Sequence, residues 1–163
     1  MVDDGVVGRR DEELFAELYP SLRRLAAVVR PLEEDPDDLV QEALARALAI
    51  RPLSAFDDPC AYLRTAIVRL ASNHRRRLGR HRRALSRAGL PADASQANYP
   101  SDLDDLRRLG VRDRAVLYLS LVEGYSYREI AGVLGCGEQA ARARASRALR
   151  RLRSDLREEI RDG

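Results

Sequence analysis

The side chains best suited to chemistry in this chain recur at helical spacing between residues 138 and 151. Gln and Arg can each make two hydrogen bonds to the edge of a base, and Arg and Ser also bind phosphates. We therefore predict a helix face that enters a nucleic-acid groove, the alternative being a helical hairpin with a solvated charged face. The face consists of Gln139, Arg142, Arg144, Ser146, Arg147 and Arg151.

A second concentration of positive charge lies between residues 73 and 83, where Asn-His is followed by six arginines in nine positions. Residues 61–92 contain nine Arg and no acidic residue, whereas residues 1–60 contain 14 acidic and 7 basic side chains. Arginines on nearly every face of a helix repel one another unless a polyanion is near. The run indicates nucleic-acid contact, with a solvated helix end as the alternative. The acidic N-terminal third suggests a second, different partner.

A helix, a tight turn and a second helix must position the C-terminal set. Ser126 and Glu129 have the spacing of a capping box, and Gly135 can adopt the positive φ that ends a helix. The second helix begins at about Glu138 and can continue to Ile160. Small and apolar residues at helical spacing predict the buried side of this helix-turn-helix. They are Ile130, Ala131, Leu134, Ala141, Ala145, Ala148, Leu152 and Leu156.

Upstream, the pattern predicts a frayed tail over residues 1–10 and a first helix over residues 11–29. Pro20 lies inside that helix, so we expect a kink or a break there. Asp35 and Pro36 then start a second helix that runs to about Ile50. Its predicted buried side is Leu39, Val40, Ala43, Leu44, Ala47 and Leu48. Its opposite side carries a polar stripe of Asp38, Gln41, Glu42 and Ala45.

A third helix is expected from about Pro59 to about Leu78, and it includes the start of the arginine run. Gly, Pro, Ser and Asn then interrupt all periodicity and predict a linker over residues 89–101. Short helices follow, one from Ser101 to a stop at Gly110 and one over residues 113–123. We therefore predict two small domains, residues 1–88 and 102–163.

Composition favours an all-α fold and excludes several classes of function. The chain of 163 residues is 45% hydrophobic and only 5% aromatic, and Ala, Leu, Arg and Glu dominate it. Cys60 and Cys136 lack metal-site spacing, and no signal peptide or membrane-length apolar run is present. The sequence also lacks a nucleophile set, a carboxylate pair in an apolar pocket and a phosphate-cradling Gly loop. We therefore expect a cytoplasmic protein that is not an enzyme, with no cofactor, metal, membrane partner or small-molecule substrate.

Three ordered segments resemble the extracytoplasmic-function (ECF) group of bacterial RNA polymerase sigma factors, within the sigma-70 family. The first is Asp37-Asp-Leu-Val-Gln-Glu-Ala-Leu-Ala-Arg-Ala-Leu48 and the second is Ala61-Tyr-Leu-Arg-Thr-Ala-Ile-Val-Arg-Leu-Ala-Ser-Asn-His-Arg-Arg-Arg77. The third spans residues 109–153 and includes Glu-Gly-Tyr-Ser-Tyr-Arg-Glu-Ile-Ala. The resemblance implies a region 2-like domain that binds core polymerase and the −10 element. It also implies a region 4-like domain, a helix-turn-helix of winged-helix-like type, that binds the −35 element.

The same resemblance implies roles for individual residues. Contact with the clamp helices of the largest polymerase subunit is implied for Asp38, Gln41 and Glu42. Contact with promoter DNA near −10, duplex and opened strand, is implied for Asn73, Arg75, Arg76, Arg77 and Arg80. The −35 bases would be read or flanked by Glu138, Gln139, Arg142 and Arg144, with phosphates held by Arg147 and Arg151. The loop of residues 53–58 would lie near a flipped base.

Four positions depart from the family pattern. The family often has Trp at Tyr62, Asn at Arg69, Asp at Asn73, and Val or Ile at Ala141. These departures leave the fold expectation unchanged and concern only DNA preference and melting. The resulting hypothesis is a sigma factor that binds core RNA polymerase and directs it to promoters, with an anti-sigma factor as a further partner. The alternatives are a polymerase-independent helix-turn-helix regulator and a sigma-like adaptor that acts by protein interaction.

Overall fold

Helices make up all the regular structure of residues 4–90 and 104–162, the part of the chain that the computed structural model describes. The all-α expectation is therefore confirmed, and within these ranges no β wing accompanies the helix-turn-helix. The α-helices are α1 Asp4–Val29, α2 Pro36–Leu48, α3 Pro59–Arg87, α4 Asp104–Arg108, α5 Val111–Leu117, α6 Tyr127–Leu134 and α7 Glu138–Asp162. A 3₁₀ turn, Leu53–Ala55, precedes α3, and a π-helical segment, Tyr118–Val122, follows α5.

Helix α1 differs from its prediction at its start and at its proline. It begins at Asp4, so the expected frayed tail is wrong for residues 4–10, while residues 1–3 lie outside the described part. Pro20 does not break the helix. Both Pro20 and Ala16, whose carbonyl loses its helical donor, are exposed, so water can replace that missing bond. On the inner face of α1, Leu22, Leu25 and Val29 are fully buried.

Helix α2 is capped as the sequence predicts and ends slightly early. The side chain of Asp35 accepts a hydrogen bond from the backbone N–H of Asp37 at 2.7 Å, and Pro36 occupies the first turn. Leu48 was expected to be buried, and that expectation is wrong, since 47% of it is exposed. Leu48 is the last residue of α2, and it follows Ala47, the last residue of the helix that is buried.

Helix α3 is longer than predicted, extending to Arg87 rather than Leu78. Its start is capped by Asp58, whose carboxylate accepts from the N–H of Ala61 at 2.8 Å. Leu63, Ile67 and Leu70 are buried, but the arginine-rich end is almost wholly exposed. Arginine is a good helix former, so this end stays helical without a core and Gly79 does not stop it.

The linker prediction falls mostly on residues 91–103, which lie outside the described part of the chain. Gly110, the expected helix stop, is the N-cap of α5, which begins two residues earlier than predicted. Helix α5 then widens into the π-helical segment, and Gly124, at φ +71°, ends it. The segment leaves Leu121 and Val122 on the surface, 66% and 69% exposed.

The helix-turn-helix is confirmed in its local detail. Ser126 and Glu129 exchange both bonds of the capping box, and these bonds hold the pKa of Glu129 below its usual value. Gly135 has φ +63°, the left-handed conformation predicted for the turn. Ala141, with Ala145 and Ala148, is buried on α7. Leu156 was expected on the same buried stripe, but it is 40% exposed, because it lies two turns beyond the last covered residue.

The two halves of the chain pack against each other, and buried side chains of both belong to one apolar cluster. Arg114 of α5 donates through Nη2 to the carbonyl of Val29, at the end of α1, at 2.9 Å. Arg75 of α3 donates to the carbonyl of Leu109 at 3.1 Å. Two further contacts cross the same boundary, the Arg24–Glu123 ion pair at 3.8 Å and the Arg64 guanidinium 4.6 Å from the Tyr125 ring centre. We call this boundary the interdomain seam.

Two glycines three residues apart should respond oppositely to alanine. Gly132→Ala should stabilise the protein by about 0.5–1 kcal/mol, because Gly132 lies inside α6 with nothing within 4 Å of a new Cβ. Gly135→Ala should destabilise it by about 1–2 kcal/mol, because a Cβ is strained at φ +63° although the nearest atom, on Arg69, is 3.8 Å away. Urea unfolding of both variants checks this, and two changes of the same sign would contradict it.

Candidate nucleic-acid and protein interfaces

The polar stripe of α2 is only partly available to a partner. Asp38 and Gln41 are exposed on the outer side of the helix, as predicted. Glu42 is half-buried and already engaged, since Arg46 donates to its Oε1 at 2.7 Å. Its Oε2 lies 3.4 Å from Nε2 of His74, and Nδ1 of that histidine is 2.5 Å from Glu34. Glu42 therefore ties α2 to α3 as well as bordering the stripe.

Asp37, which begins the same sequence segment, is half-exposed and faces α1 rather than joining the stripe. Tyr19 and Arg23 of α1 both donate to its carboxylate, the latter at 2.8 Å. Hydrogen bonds from Tyr19 and then from Arg23 hold the pKa of Asp37 below its usual value. The two adjacent acids of the segment thus differ in function: Asp37 fixes α2 on α1, and Asp38 faces water.

The predicted DNA-binding residues of α3 are all exposed, but they point in different directions. Arg75, Arg76 and Arg80 line a cleft of about 540 Å³ between α3 and the second half. Arg77 lines a different depression, with His74 and Glu42. A third depression, of about 210 Å³, holds Asn73 together with the family departures Tyr62 and Arg69, and with Arg46, Thr65, Ala66 and Leu70. The run therefore forms three basic or polar surfaces around one helix.

The arginine run contains no acidic residue in sequence, but carboxylates from other parts of the chain approach it in the structure. Arg82 forms an ion pair with Glu33, from the loop before α2. His74 lies between two carboxylates, as described above. The expected arginines, Arg75, Arg76, Arg77 and Arg80, have no carboxylate partner among the described residues. The run retains most of its uncompensated charge among the described residues, and its contact with nucleic acid stays a prediction.

The loop before α3 is held rigidly by a residue that the sequence did not single out. Asp11 of α1 accepts hydrogen bonds from the backbone N–H groups of Leu53 and Ser54 at 2.8 and 2.9 Å. Burial alone would raise the pKa of Asp11, but these bonds bring it below its usual value. In the same loop Phe56 is buried, with its ring centre 4.4 Å from that of Tyr62. Asp11 is 42 residues from Leu53 in sequence, so no local signal could have found it.

The predicted face of α7 divides into two sets. Glu138, Gln139 and Arg142 are exposed on the outer side, where Arg142 lies 3.4 Å from Glu138 and 4.8 Å from the centre of the Tyr127 ring. Arg144 turns towards α5 and donates to Asp113 at 2.7 Å.

Arg151 lies on the same flank as Arg144, 3.7 Å from Asp113, whereas Arg147 is exposed. Sequence reasoning missed Arg150, which is exposed four residues after Ser146 on the outer side. The i, i+4 spacing from Arg142 through Ser146 is the signal that could have found it. The outer side of α7 therefore carries Gln139, Arg142, Ser146 and Arg150, and the flank carries Arg144 and Arg151.

Comparison with known families and proteins gives a consistent result. A family model described as "Sigma-70 region 2" matches residues 14–81, and one described as "Sigma-70, region 4" matches residues 106–152. The chain is 32% identical over 153 residues to "ECF RNA polymerase sigma factor EcfG" of Rhodopseudomonas palustris, covering 88% of this chain and 82% of that protein. It is 30% identical over 156 residues to "RNA polymerase sigma factor CarQ" of Myxococcus xanthus, covering 89% and 88% respectively.

A solved structure has the same fold. It is the sigma factor RpoE from Bartonella quintana, in complex with the anti-sigma factor NepR. The two structures superpose with a TM-score of 0.70, at 24% sequence identity, over 90% of this chain and 96% of that one. At this identity the likeness supports the fold alone. Among the described residues, no helix has both the length and the apolar character needed to span a bilayer.

The arginine run should give a measurable salt dependence. Replacing Arg76 and Arg80 by Ala should lower the slope of log affinity against log salt by about 1.8 on a nonspecific duplex, at roughly 0.9 per lost phosphate contact. Filter binding or fluorescence anisotropy at salt concentrations between 50 and 200 mM measures this slope. Arg128→Ala, which removes one exposed positive charge from α6, should leave the slope unchanged. Equal slopes in all three proteins would show that the run is a solvated helix end.

Proposed function

The chain belongs to the ECF group of RNA polymerase sigma factors in the sigma-70 family, and from this premise we propose which of its surfaces meet polymerase and promoter. Members of the group bind core RNA polymerase and direct it to promoters, and this is the function of this chain. The observation that carries the residue-level proposal is the presence of three distinct surfaces on one chain. They are the exposed acidic and polar side of α2, the basic end of α3 and the outer side of α7.

The proposed polymerase contact is the exposed part of the α2 stripe. Asp38 and Gln41 face water and are free of the ion pairs found among the described residues, so a basic partner surface can reach them. Glu42 contributes from the edge of the stripe while bonded to Arg46. Acid-to-base contacts of this kind orient a partner and set the association rate more than they add bare affinity.

For the −10 element, we propose that Asn73, Arg75, Arg76, Arg77 and Arg80 hold DNA from different sides of α3. The depression at Asn73, Tyr62 and Arg69 suits an opened strand, because it joins a ring with hydrogen-bond donors. The rigid loop fixed by Asp11 borders the same end of the domain. It suits a flipped base, whose extrusion costs a few kcal/mol that pocket contacts must offset.

For the −35 element, we propose that Gln139 and Arg142 read bases, with Glu138 beside them. Both are in the first turns of α7, the part of a recognition helix that enters the major groove. Arg147 and Arg151 lie further along and suit phosphates. Arg144 is now better placed as a flanking residue, because its guanidinium already bonds Asp113 on the flank of α7.

The packed arrangement of the two halves cannot bind both elements at once. Elements near −10 and −35 are about 25 base pairs apart, or ~85 Å along B-DNA. Yet Arg76 and Arg80 of α3 line the same cleft as Arg144 of α7. We propose that the interdomain seam opens when the sigma factor joins polymerase and promoter.

Several finer assignments belong to the same proposal. We place the first domain at residues 1–88, the linker at 89–101 and the second domain at 102–163. The protein acts in the cytoplasm, where core polymerase is found, and has no enzymatic activity of its own. The fold that it shares with a sigma factor solved in complex with an anti-sigma factor supports an anti-sigma partner for this chain too.

Charge reversal on α2 tests the polymerase contact. Asp38→Arg with Gln41→Arg should abolish or greatly weaken core polymerase binding, because like charges then face each other across the interface. These two residues are chosen because they are exposed, whereas changing Glu42 would also break its bonds to α3. Glu12→Arg makes the same acid-to-base change as Asp38→Arg, but on the exposed side of α1, and this control should bind normally. The measurement is pull-down of purified core polymerase with circular dichroism of each variant; normal binding by the double variant would contradict the assignment.

Two arginines of α7 should behave differently towards promoter DNA. In the reconstituted holoenzyme, Arg142→Ala should cost about 1–3 kcal/mol on the preferred −35 sequence and little on a scrambled one. Arg147→Ala should weaken both by a similar factor, because a phosphate contact carries no sequence information. Affinities for the two duplexes are measured at one salt concentration. If Arg142→Ala weakened both equally, the base reader would have to be sought at Glu138, Gln139 or Arg144.

A further inference from the structure

The interdomain seam buries a positive charge that has no carboxylate partner in the described part of the chain. Arg114 is 4% exposed, and its Nη2 donates to the carbonyls of Val29 and Arg30 at 2.9 and 3.4 Å. Its Nε is buried and has no hydrogen-bond partner. Buried charges in proteins are normally paired, because removing a charge from water costs several kcal/mol. The negative end of α1, to which Arg114 bonds, offsets only part of one charge.

More arginines surround the same place. Arg30 and Arg75, both from the first half, line one depression of about 240 Å³ together with Arg114 from the second. Arg75 donates to a backbone carbonyl, that of Leu109, and Arg30 donates to the carbonyls of the loop that follows it, including Leu32 at 3.0 Å. The Nε of Arg30 is also buried, and no described residue accepts a hydrogen bond from it.

Among the described residues that line this depression, no carboxylate is free to neutralise Arg114. The acid among its lining residues is Glu33, and its carboxylate pairs with Arg82. Burial, followed by repulsion from Arg75, Arg107 and Arg30, lowers the pKa of Arg114 to about 10. Since that value is still far above 7, Arg114 is charged at neutral pH. The seam therefore concentrates permanent positive charge whose described partners are mainly carbonyl oxygens.

The depression continues into the larger cleft between α3 and the second half. Arg75 and Gly79 line both, so the two spaces adjoin. Further arginines line the larger cleft, namely Arg76, Arg80, Arg83, Arg112 and Arg144. A small anion can thus reach the depression through a basic entrance that raises its local concentration.

We infer that the interdomain seam binds a small oxyanion of the phosphate class, either inorganic phosphate or a phosphate group of a small metabolite, between Arg30, Arg75 and Arg114. Guanidinium groups bind such oxygens through paired N–H donors, and three arginines line this one depression. Two come from the first half and one from the second, so the site is complete only when the halves are packed. Because a ligand stabilises the state that binds it, the anion favours the packed arrangement over the opened one.

Thermal unfolding of the full chain with inorganic phosphate tests this inference. Phosphate, titrated against chloride at matched ionic strength, should raise the Tm along a saturable curve. The rise should be about 3–6 °C at ten times the half-saturation concentration. Pyrophosphate, with more charge, should saturate at a lower concentration. Isothermal titration calorimetry of the same samples gives the stoichiometry, which should be one phosphate per chain.

Two variants and a matched control decide whether the effect arises at the seam. Arg114→Gln and Arg75→Gln should each lose at least half of the phosphate-dependent Tm shift. Arg75 is exposed, so its variant remains folded and decides the matter even if Arg114→Gln does not fold. Arg77→Gln removes the same charge from another side of α3 and should keep the full shift. Equal shifts in all proteins would show a general effect of anions on a basic chain, and would overturn the site.

A further arm separates a small oxyanion from nucleic acid. A short single-stranded oligonucleotide is added at the same phosphate concentration as inorganic phosphate. If only the oligonucleotide raised the Tm, and Arg75→Gln abolished that rise, the seam would be part of the nucleic-acid surface instead. Small-angle scattering with and without phosphate should show the more compact chain when phosphate is bound. Expansion on adding phosphate would contradict the proposed link to packing.

Discussion

The guanidinium of Arg114 donates to the carbonyls that end α1, and the packing of the two halves is built around this contact. The last carbonyls of a helix have no partner within it and carry partial negative charge, so a buried cation is one of few groups that can satisfy them. Lysine would be a poor substitute, because a buried ammonium loses its proton readily while arginine does not. Arg114 itself and Val29 are buried, which keeps water from competing for the carbonyl of Val29.

What the sequence predicts well is local. The capping box of Ser126 and Glu129 and the left-handed turn at Gly135 each depend on residues within one or two turns, so a pattern of a few residues is sufficient. The sequence predicts poorly where along a helix the buried side ends. Leu48 and Leu156 continue a correct apolar period, but each lies past the last neighbour able to bury it. Periodicity shows which side of a helix is apolar, and only the tertiary arrangement shows how far along the helix that side is covered.

The candidate surfaces follow the same division. Helical spacing correctly places Asp38 and Gln41 on an exposed side of α2 and Gln139 and Arg142 on the outer side of α7. It cannot show that Arg144 turns to Asp113, because that partner lies 31 residues away on another helix. The arginine run, which looks uniform in sequence, is divided by its neighbours into separate surfaces. The residue roles themselves remain predictions, since exposure and charge do not identify the molecule that is bound.

Helix α1 also has a mechanical consequence, because it is fastened at both ends. Near its start Asp11 holds the loop at Leu53 and Ser54, and at its end Val29 is held by Arg114. The helix of 26 residues is ~39 Å long and acts as a strut, since an α-helix changes its length very little under load. The helix is expected to bend most easily at Pro20, where one backbone hydrogen bond is missing. The stiffness of α1 at Pro20 therefore determines how far a movement at the interdomain seam is transmitted to the loop at Leu53 and Ser54.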